Sequence, residues 1–370
     1  MTCFKPFRPA LCAGLCLLLL GARPGHASPL EVTKLASDVP GLALATDPGL
    51  VNAWGMAASA TSPLWINANG AGTSEIYNGA GVKQALVVTI PGDGSVTGAA
   101  FGNVAGSFNG NAFLFVSEDG TVSGWRGALG TSAEVLQTAS ADNVYKGLAF
   151  ANIGGQGYSY AANFRQGGID VLKGNGGAPD LSGNFVDPNL PAGYAPFNVQ
   201  NLGGMLYVTY AVQDGAKKDD VAGAGNGIVS RFDLQGNFLG RLATGGALNS
   251  PWGLALAPAG FGDLAGDLLV GNFGDGLIHA YDAAGTLVET LMDTGTNPIM
   301  IEGLWGLRFG NGGNGGDPST LYFTAGPDDE SHGLFGMLSV AATPEPSDLA
   351  LLTLGLGGLA FSRRRKPQRR

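Results

Sequence analysis

The stretch AWGMA at residues 53–57 returns five more times along the chain in altered form, and this repetition decides the fold. The later copies begin about 45 to 55 residues apart and read GAAFG (98–102), YKGLA (145–149), APFNV (195–199), PWGLA (251–255) and LWGLR (304–308). Each copy is followed by a second apolar run, a polar turn that contains glycine, a third run and often a fourth. Four short strands in a unit of this length are typical of one β-propeller blade. The sequence therefore predicts an all-β, six-bladed β-propeller of the NHL-like type.

Closure of the ring is predicted from the first strand. The last repeat has only three strands of its own, and the segment LEVTKLA at 30–36 precedes the first blade without a partner there. Because an unpaired strand edge invites pairing with other chains, we expect this segment to add the fourth strand to the last blade. The alternative is a two-sheet β-sandwich, which explains neither the number of repeats nor the recurring Trp-Gly pairs.

Composition excludes several classes of protein. The chain has 370 residues, of which 45% are hydrophobic, so a sizeable core can form and general disorder is excluded. Of 20 basic and 29 acidic residues, nine basic and two acidic ones lie in 1–27 and 344–370, which leaves a net charge of −16 on the body. A body this acidic repels nucleic-acid phosphates and anionic membranes, so we expect no nucleic-acid partner.

The first 27 residues read as a secretory signal peptide. Lys5 and Arg8 precede an apolar stretch at 11–22, and GHA at 25–27 supplies the small residues that a signal peptidase needs. Cleavage before Ser28 would remove all three cysteines, so the exported protein would have no disulfide. The alternative for this segment is an N-terminal membrane anchor.

The C-terminal residues are typical of a second targeting signal. Pro344, Glu345 and Pro346 are followed by an apolar run at 349–361 and a basic tail that contains Arg363, Arg364 and Arg365. Thirteen apolar residues are few for a stable membrane span, and the basic tail would remain in the cytoplasm. Residues 343–370 resemble the PEP-CTERM sorting signal of Gram-negative bacteria. The resemblance implies transient anchoring in the inner membrane, processing by an exosortase-type enzyme, and a role in exopolysaccharide or biofilm matrix; the alternative is an ordinary short anchor.

The body, residues 28–342, also resembles a known group of proteins. Its motifs include VNAWG (51–55), AANF (161–164), APFNVQ (195–200), LVGNFGDG (269–276) and FTAGPDDE (323–330). They are similar to motifs of an uncharacterised family of exported, propeller-like conserved hypothetical proteins, some of which carry PEP-CTERM tails. The resemblance implies the fold and the export, and it implies no catalytic residues.

Polar side chains are predicted to gather at one mouth of the ring. In a propeller, the turns from second to third strand and the links between blades open on the same face. The predicted residues of these turns are Asn69, Glu118, Asp119, Asn163, Arg165, Asp214, Asn272, Asp275, Asp328, Asp329, Glu330 and His332, and those of the links are Asn52, Lys146, Asn249 and Glu302. The insert at 213–227 is expected to overhang this face as a loop or lid. Trp54, Trp252 and Trp305 recur at one position of the first strands, and we expect them to wedge between blades.

A candidate calcium site follows from one recurring residue type. Asn69, Asn163 and Asn272 fall at nearly the same point of their blades, and Glu302 lies in a blade link. Ca²⁺ accepts amide and carboxylate oxygens, so these four residues are candidate metal ligands. The pattern resembles the channel-bound Ca²⁺ of six-bladed lactonases and related hydrolases in architecture only. The alternative is that the asparagines only form turns.

Two functions remain open at this point. The first is a non-catalytic binding role at the cell surface, in the periplasm or outside a Gram-negative cell, with an exopolysaccharide or an envelope protein as partner. The second is a calcium-dependent hydrolase or lactonase that uses the central channel. A bound metal or a perturbed acid–base pair in the channel favours the enzyme, whereas a complementary surface is enough for the binding protein.

Overall fold

The computed structural model describes residues 29–341, which form six antiparallel sheets around a central axis. Blade 1 contains β3 (Ala53–Ala57), β4 (Leu64–Ala68), β5 (Thr73–Tyr77) and β6 (Lys83–Thr89). Blade 2 contains β7 (Val96–Phe101), β8 (Phe113–Ser117), β9 (Val122–Trp125) and β10 (Glu134–Gln137). Blade 3 contains β11 (Tyr145–Ile153), β12 (Gln156–Asn163) and β13 (Gly168–Lys173). The predicted six-bladed propeller is confirmed, and the β-sandwich is excluded.

The remaining blades follow the same order from the axis outward. Blade 4 contains β14 (Tyr194–Leu202), β15 (Met205–Val212), β16 (Ile228–Phe232) and β17 (Phe238–Thr244). Blade 5 contains β18 (Pro251–Leu256), β19 (Leu268–Asn272), β20 (Ile278–Tyr281) and β21 (Leu287–Thr290). Blade 6 contains β22 (Leu304–Phe309), β23 (Leu321–Ala325) and β24 (Leu334–Val340). Three short 3₁₀ helices lie in loops at Phe108–Gly110, Gly127–Leu129 and Gly262–Leu264.

The ring closes as the sequence predicts. Strand β1 (Leu30–Ser37) pairs antiparallel with β24, from Leu30 opposite Val340 to Ser37 opposite Leu334. A short strand, β2 (Ala45–Thr46), then pairs parallel with β1 and makes a fifth strand that the sequence did not indicate. Because the first strand of the chain lies in the last blade, the two ends of the ring are joined by hydrogen bonds.

Blade 3 departs from the four-strand pattern. The sheet has three strands, and the segment at 174–193 lies at its outer edge without regular structure. Three prolines at positions 179, 188 and 191 remove backbone donors that a fourth strand would need. The segment is held to blade 4 instead, because the Gly183 amide donates to the Gln235 carbonyl and the Arg241 guanidinium pairs with Asp187.

The recurring glycine of the first strands has a packing reason. Six first strands converge on the axis, so neighbouring backbones come close together. A Cβ on Gly55 would lie 2.4 Å from the Thr97 carbonyl oxygen, and one on Gly147 would lie 2.2 Å from Oδ1 of Asn198. Only glycine fits at these points.

Candidate functional site

Three tryptophans of the innermost strands meet on the central axis. Trp54 stacks on Trp305 with ring centroids 3.7 Å apart, and Trp252 contacts both rings edge-on. Phe273 stacks on Trp305 at 3.9 Å, and Phe197 joins from blade 4. The expectation that the tryptophans wedge between neighbouring blades is therefore only partly right. Residues of five blades belong to this cluster, and together they fill the middle of the channel.

A cavity of about 620 Å³ opens beside this aromatic cluster, on the face of the turns and blade links. Trp305 and Phe273 form an apolar part of its wall. Its lining also includes six carboxylates and one lysine, namely Asp219, Asp220, Asp275, Glu302, Asp329, Glu330 and Lys146. We call this cavity the acidic mouth. The prediction that turns and links gather charged residues at one mouth is thus confirmed for five of these seven residues.

Lys146 is the one buried cation of the acidic mouth, and its charge is already balanced. Its side chain is only 2% exposed, and its Nζ atom donates to Oε1 of Glu118 and, at 3.2 Å, to Oδ1 of Asp219. Nζ also lies 5.1 Å above the Trp54 ring, a cation–π distance. Burial favours the neutral amine, but the two carboxylates outweigh it and raise the pKa of Lys146. Lys146 therefore stays charged and paired.

Burial raises the pKa of two carboxyl groups of the mouth, Glu330 and Asp220. Burial raises the pKa of Glu330, although a hydrogen bond from Nδ2 of Asn52 at 2.7 Å acts in the opposite direction. Burial also raises the pKa of Asp220, although the charge of Lys146 acts in the opposite direction. These two groups take up protons more readily than an exposed carboxylate, because the charged form loses hydration in the cavity.

The insert at 213–227 lies over the acidic mouth, as expected. Its backbone turns back on itself, with the Asp214 amide donating to the Asp219 carbonyl and the Val221 amide donating to the Val212 carbonyl. The Gly223 amide donates to Oδ1 of Asn249 at 2.7 Å, which attaches the insert to blade 5. The insert therefore brings Asp219 and Asp220 into the mouth.

The four candidate calcium ligands are not gathered around one cavity. Only Glu302 lines the acidic mouth. Oδ1 of Asn163 accepts hydrogen bonds from the backbone amides of Val144 and Gln166, which is the turn-forming role that was the alternative. Nδ2 of Asn272 donates to the Ala247 carbonyl at 2.8 Å, whereas its Oδ1 is buried and has no hydrogen-bond partner among residues 29–341.

The fourth candidate ligand is also engaged within the protein. Oδ1 of Asn69 accepts a hydrogen bond from Nδ2 of Asn52 at 3.2 Å. Across residues 29–341, no group of three or more histidine, cysteine, aspartate or glutamate side chains is arranged to hold a metal ion.

Sequence reasoning missed two contributors to the mouth. Phe273 was seen only as part of a motif, and Asp220 only as one of several acids in an insert. The position of Phe273 could have indicated its role, because Phe273 follows directly on a second strand and therefore begins a turn on the face of the mouth. The burial of Asp220 depends on how the insert folds, which its composition does not indicate.

The two addresses lie outside the described residues. They are the predicted signal peptide at 1–27 and the predicted sorting signal at 343–370, with Pro344, Glu345, Pro346, Arg363, Arg364 and Arg365. Between residues 29 and 341, no helix is long and apolar enough to cross a membrane.

Comparison with known proteins identifies relatives by sequence. The chain is 33% identical over 329 residues to "Uncharacterized protein R648" of Acanthamoeba polyphaga mimivirus, covering 83% of this chain and 80% of that protein. It is 32% identical to "Uncharacterized protein L690" of the same virus, covering 83% and 85% of the two chains. No family model matches the sequence.

Comparison of structures supports the fold alone. The chain resembles a structural genomics protein of unknown function from Bacteroides thetaiotaomicron, with a TM-score of 0.52 and 11% identity, over 84% of this chain and 76% of that one. At this identity, the likeness concerns architecture and carries no information on activity.

Proposed function

The chain belongs to the family of six-bladed β-propeller proteins that includes R648 and L690 of the mimivirus, and we propose that it is an exported, non-catalytic binding protein whose acidic mouth holds the ligand. The observation that carries this proposal is the charge of the mouth. Six carboxylates line a cavity of about 620 Å³, and the one lysine among them is already paired. This volume lies within the usual range for ligand pockets.

The charge of the mouth selects the ligand by its sign. A cavity with low-dielectric walls focuses the field of its charges and concentrates ions of the opposite sign. Glu302 and Asp329 are exposed at the mouth and are not paired with a lysine or arginine in the described part of the chain. The ligand therefore carries a positive charge where it meets these two residues.

The apolar wall adds a second requirement. Phe273 is partly exposed within the mouth and is backed by the stacked ring of Trp305. A pyranose ring can lie against such an aromatic face while its hydroxyl groups donate to carboxylates. We therefore propose a polysaccharide with free amino groups as the ligand, which agrees with the expected exopolysaccharide partner. This choice also explains why so acidic a protein would bind a matrix polymer.

The test uses a short oligomer of glucosamine and its N-acetylated form. Acetylation removes the positive charge and leaves the rest of the sugar, so it isolates the electrostatic contribution. We expect the purified protein to bind the glucosamine tetramer in isothermal titration calorimetry and to bind the acetylated tetramer at least about tenfold more weakly. The affinity should also fall as salt is added, because exposed charges are screened.

Variants of the mouth test whether the glucosamine tetramer binds there. The double variant Glu302→Gln and Asp329→Asn removes two exposed charges and is expected to weaken binding about tenfold, since such charges contribute about 0.2–1 kcal/mol each. The control is Asp180→Asn, which removes one charge from a side chain that is 93% exposed and lies outside the mouth. Equal binding of both tetramers, or a double variant that binds like the control, would refute the proposal.

A second candidate function has one observation in its favour. Burial raises the pKa of Glu330 and of Asp220, and carboxyl groups with a pKa raised by burial are frequent at catalytic sites. This observation favours the calcium-dependent hydrolase or lactonase, with Glu302 as the one predicted ligand in the mouth. Turnover of a lactone panel that requires Ca²⁺ and is lost in Glu330→Gln would support the enzyme and replace the binding role.

Export rests on the two terminal segments alone. We propose Sec-dependent export, cleavage before Ser28 and processing near Pro344 by an exosortase-type enzyme. Mass spectrometry of the protein recovered outside the cytoplasm tests this, with a mature body beginning at Ser28 as the expected result. A chain that retains residues 1–27 would contradict it.

A further inference from the structure

A second cavity lies at the other end of the central axis. It measures about 300 Å³ and is lined by the last residues of the first strands of blades 1, 2, 3, 4 and 6. Ten of its thirteen lining residues have apolar side chains, Met56, Phe101, Leu148 and Phe150 among them, but most of the surface that faces the cavity is polar. The aromatic cluster on the axis separates it from the acidic mouth. We call it the arginine pocket.

One charged residue, Arg308, lines the arginine pocket, and no carboxylate does. Nη2 of Arg308 donates to the Ala58 carbonyl at 3.2 Å. Nε is buried and has no hydrogen-bond partner among residues 29–341, and the side chain forms no ion pair there. Enclosure without a carboxylate lowers the pKa of the guanidinium. An enclosed cation in this state is costly unless an anion compensates it.

The pocket also offers a polar neighbour. Gln200 lines it and makes no hydrogen bond through its amide in the described part of the chain. The adjacent Asn201, by contrast, is committed, since its Nδ2 donates to the Phe150 carbonyl at 2.9 Å. Gln200 and Arg308 therefore both have donors without a protein partner, and both line the same cavity.

We infer that the arginine pocket binds a small organic carboxylate. A guanidinium presents parallel N–H donors that match a carboxylate. A single fixed positive charge balances a monoanion, whereas a phosphate dianion would leave a negative charge in a body that already carries −16. This inference does not depend on the function proposed for the acidic mouth, because the two cavities share no lining residue.

The experiment uses benzoate as the probe and benzamide as its neutral counterpart. We expect benzoate to bind the purified protein and to shift the ¹⁵N resonance of Arg308 Nε, and we expect benzamide to bind about 10–100-fold more weakly, the range for loss of a charged hydrogen bond. Inorganic phosphate is the third probe. Equal binding of benzoate and benzamide, or tighter binding of phosphate, would overturn the inference.

Three variants separate binding from folding. Arg308→Met is expected to lose benzoate binding by about 10–100-fold while its thermal stability stays equal or rises, because an uncompensated charge is removed. Gln200→Phe fills the pocket, keeps Arg308 and should also lose binding. Arg165→Met makes the same change of charge at an exposed site whose guanidinium donates to the Ala141 carbonyl, and it should bind like the wild type. Benzoate binding that survives both pocket variants would overturn the inference.

Discussion

Replacing Lys146 by methionine tests how much the buried ion pair between Lys146 and Glu118 contributes to the free energy of unfolding. The change removes the charge but keeps most of the apolar stem that packs against Trp54. It leaves the Glu118 side chain, which is 11% exposed, without its main partner. The effect on the free energy of unfolding can be worked out from the surroundings of the two carboxylates.

Breaking a buried ion pair by removing one partner costs about 3–5 kcal/mol. Asp219 adds little to this, because its side chain is 62% exposed and is hydrated without Lys146. Nζ of Lys218 lies 3.9 Å from Oε2 of Glu118 and remains as a weak partner. We therefore expect Lys146→Met to lower the free energy of unfolding by about 3 kcal/mol, the lower end of the range.

Urea unfolding followed by tryptophan fluorescence measures this loss, since three tryptophans surround the site. The double variant Glu118→Gln and Lys146→Met removes both charges and should lose only about 1 kcal/mol. Lys173→Met is the matched control, because its partner Asp180 is 93% exposed, and it should stay within about 0.5 kcal/mol of the wild type. A Lys146→Met variant as stable as Lys173→Met, or a double variant no more stable than Lys146→Met, would refute the reasoning.

Two further predictions concern the ring itself. Gly55→Ala places a Cβ 2.4 Å from the Thr97 carbonyl oxygen and should cost about 3 kcal/mol by urea unfolding, whereas Gly127→Ala, with open space around it, should change little; similar losses for both would contradict the packing argument. Asp187→Asn breaks the pair with Arg241, whose Nε lies 2.6 Å from Oδ2, and should cost about 2 kcal/mol at neutral pH. Burial alone would raise the pKa of Asp187, but its hydrogen bonds, the one with Arg241 foremost, lower it overall, so its contribution is present above a pH of about 4 and is lost as the pH falls through the native pKa. The two unfolding curves should therefore converge in acid, and a constant gap down to about pH 2 would contradict this assignment.

Much of the fold could be predicted from the sequence because each blade repeats the same constraint. The first strands converge on the axis, so small or glycine residues and large apolar ones recur there at fixed positions, as at Trp54-Gly55 and Trp252-Gly253. Ring closure followed from counting strands in the last repeat. The missing strand of blade 3 was not foreseen, because the anchoring of Asp187 by Arg241 is a contact between residues far apart in sequence.

The site was predicted less completely, because its chemistry depends on the burial and the hydrogen-bond partners of each side chain. The positions of turns and blade links placed Lys146 and Glu330 at the mouth, but the direction of their pKa shifts depends on burial and on neighbouring charges, one of which, Asp219, comes from the insert. The asparagines stay a prediction as metal ligands, because an amide that forms a turn and an amide that binds a metal look the same in sequence. Arg308 did carry a signal in the sequence. It occupies the last position of the first-strand repeat, where the other five copies have alanine, glycine or valine. That signal became informative only with the cavity around it.

The most direct test of the binding role is a crystal structure of the protein with the glucosamine tetramer. The account predicts an amino group within hydrogen-bond distance of the carboxylates of Glu302 and Asp329, with a sugar ring against Phe273. A tetramer bound elsewhere on the propeller, or an acidic mouth that holds the sugar with its amino groups directed to solvent, would contradict it.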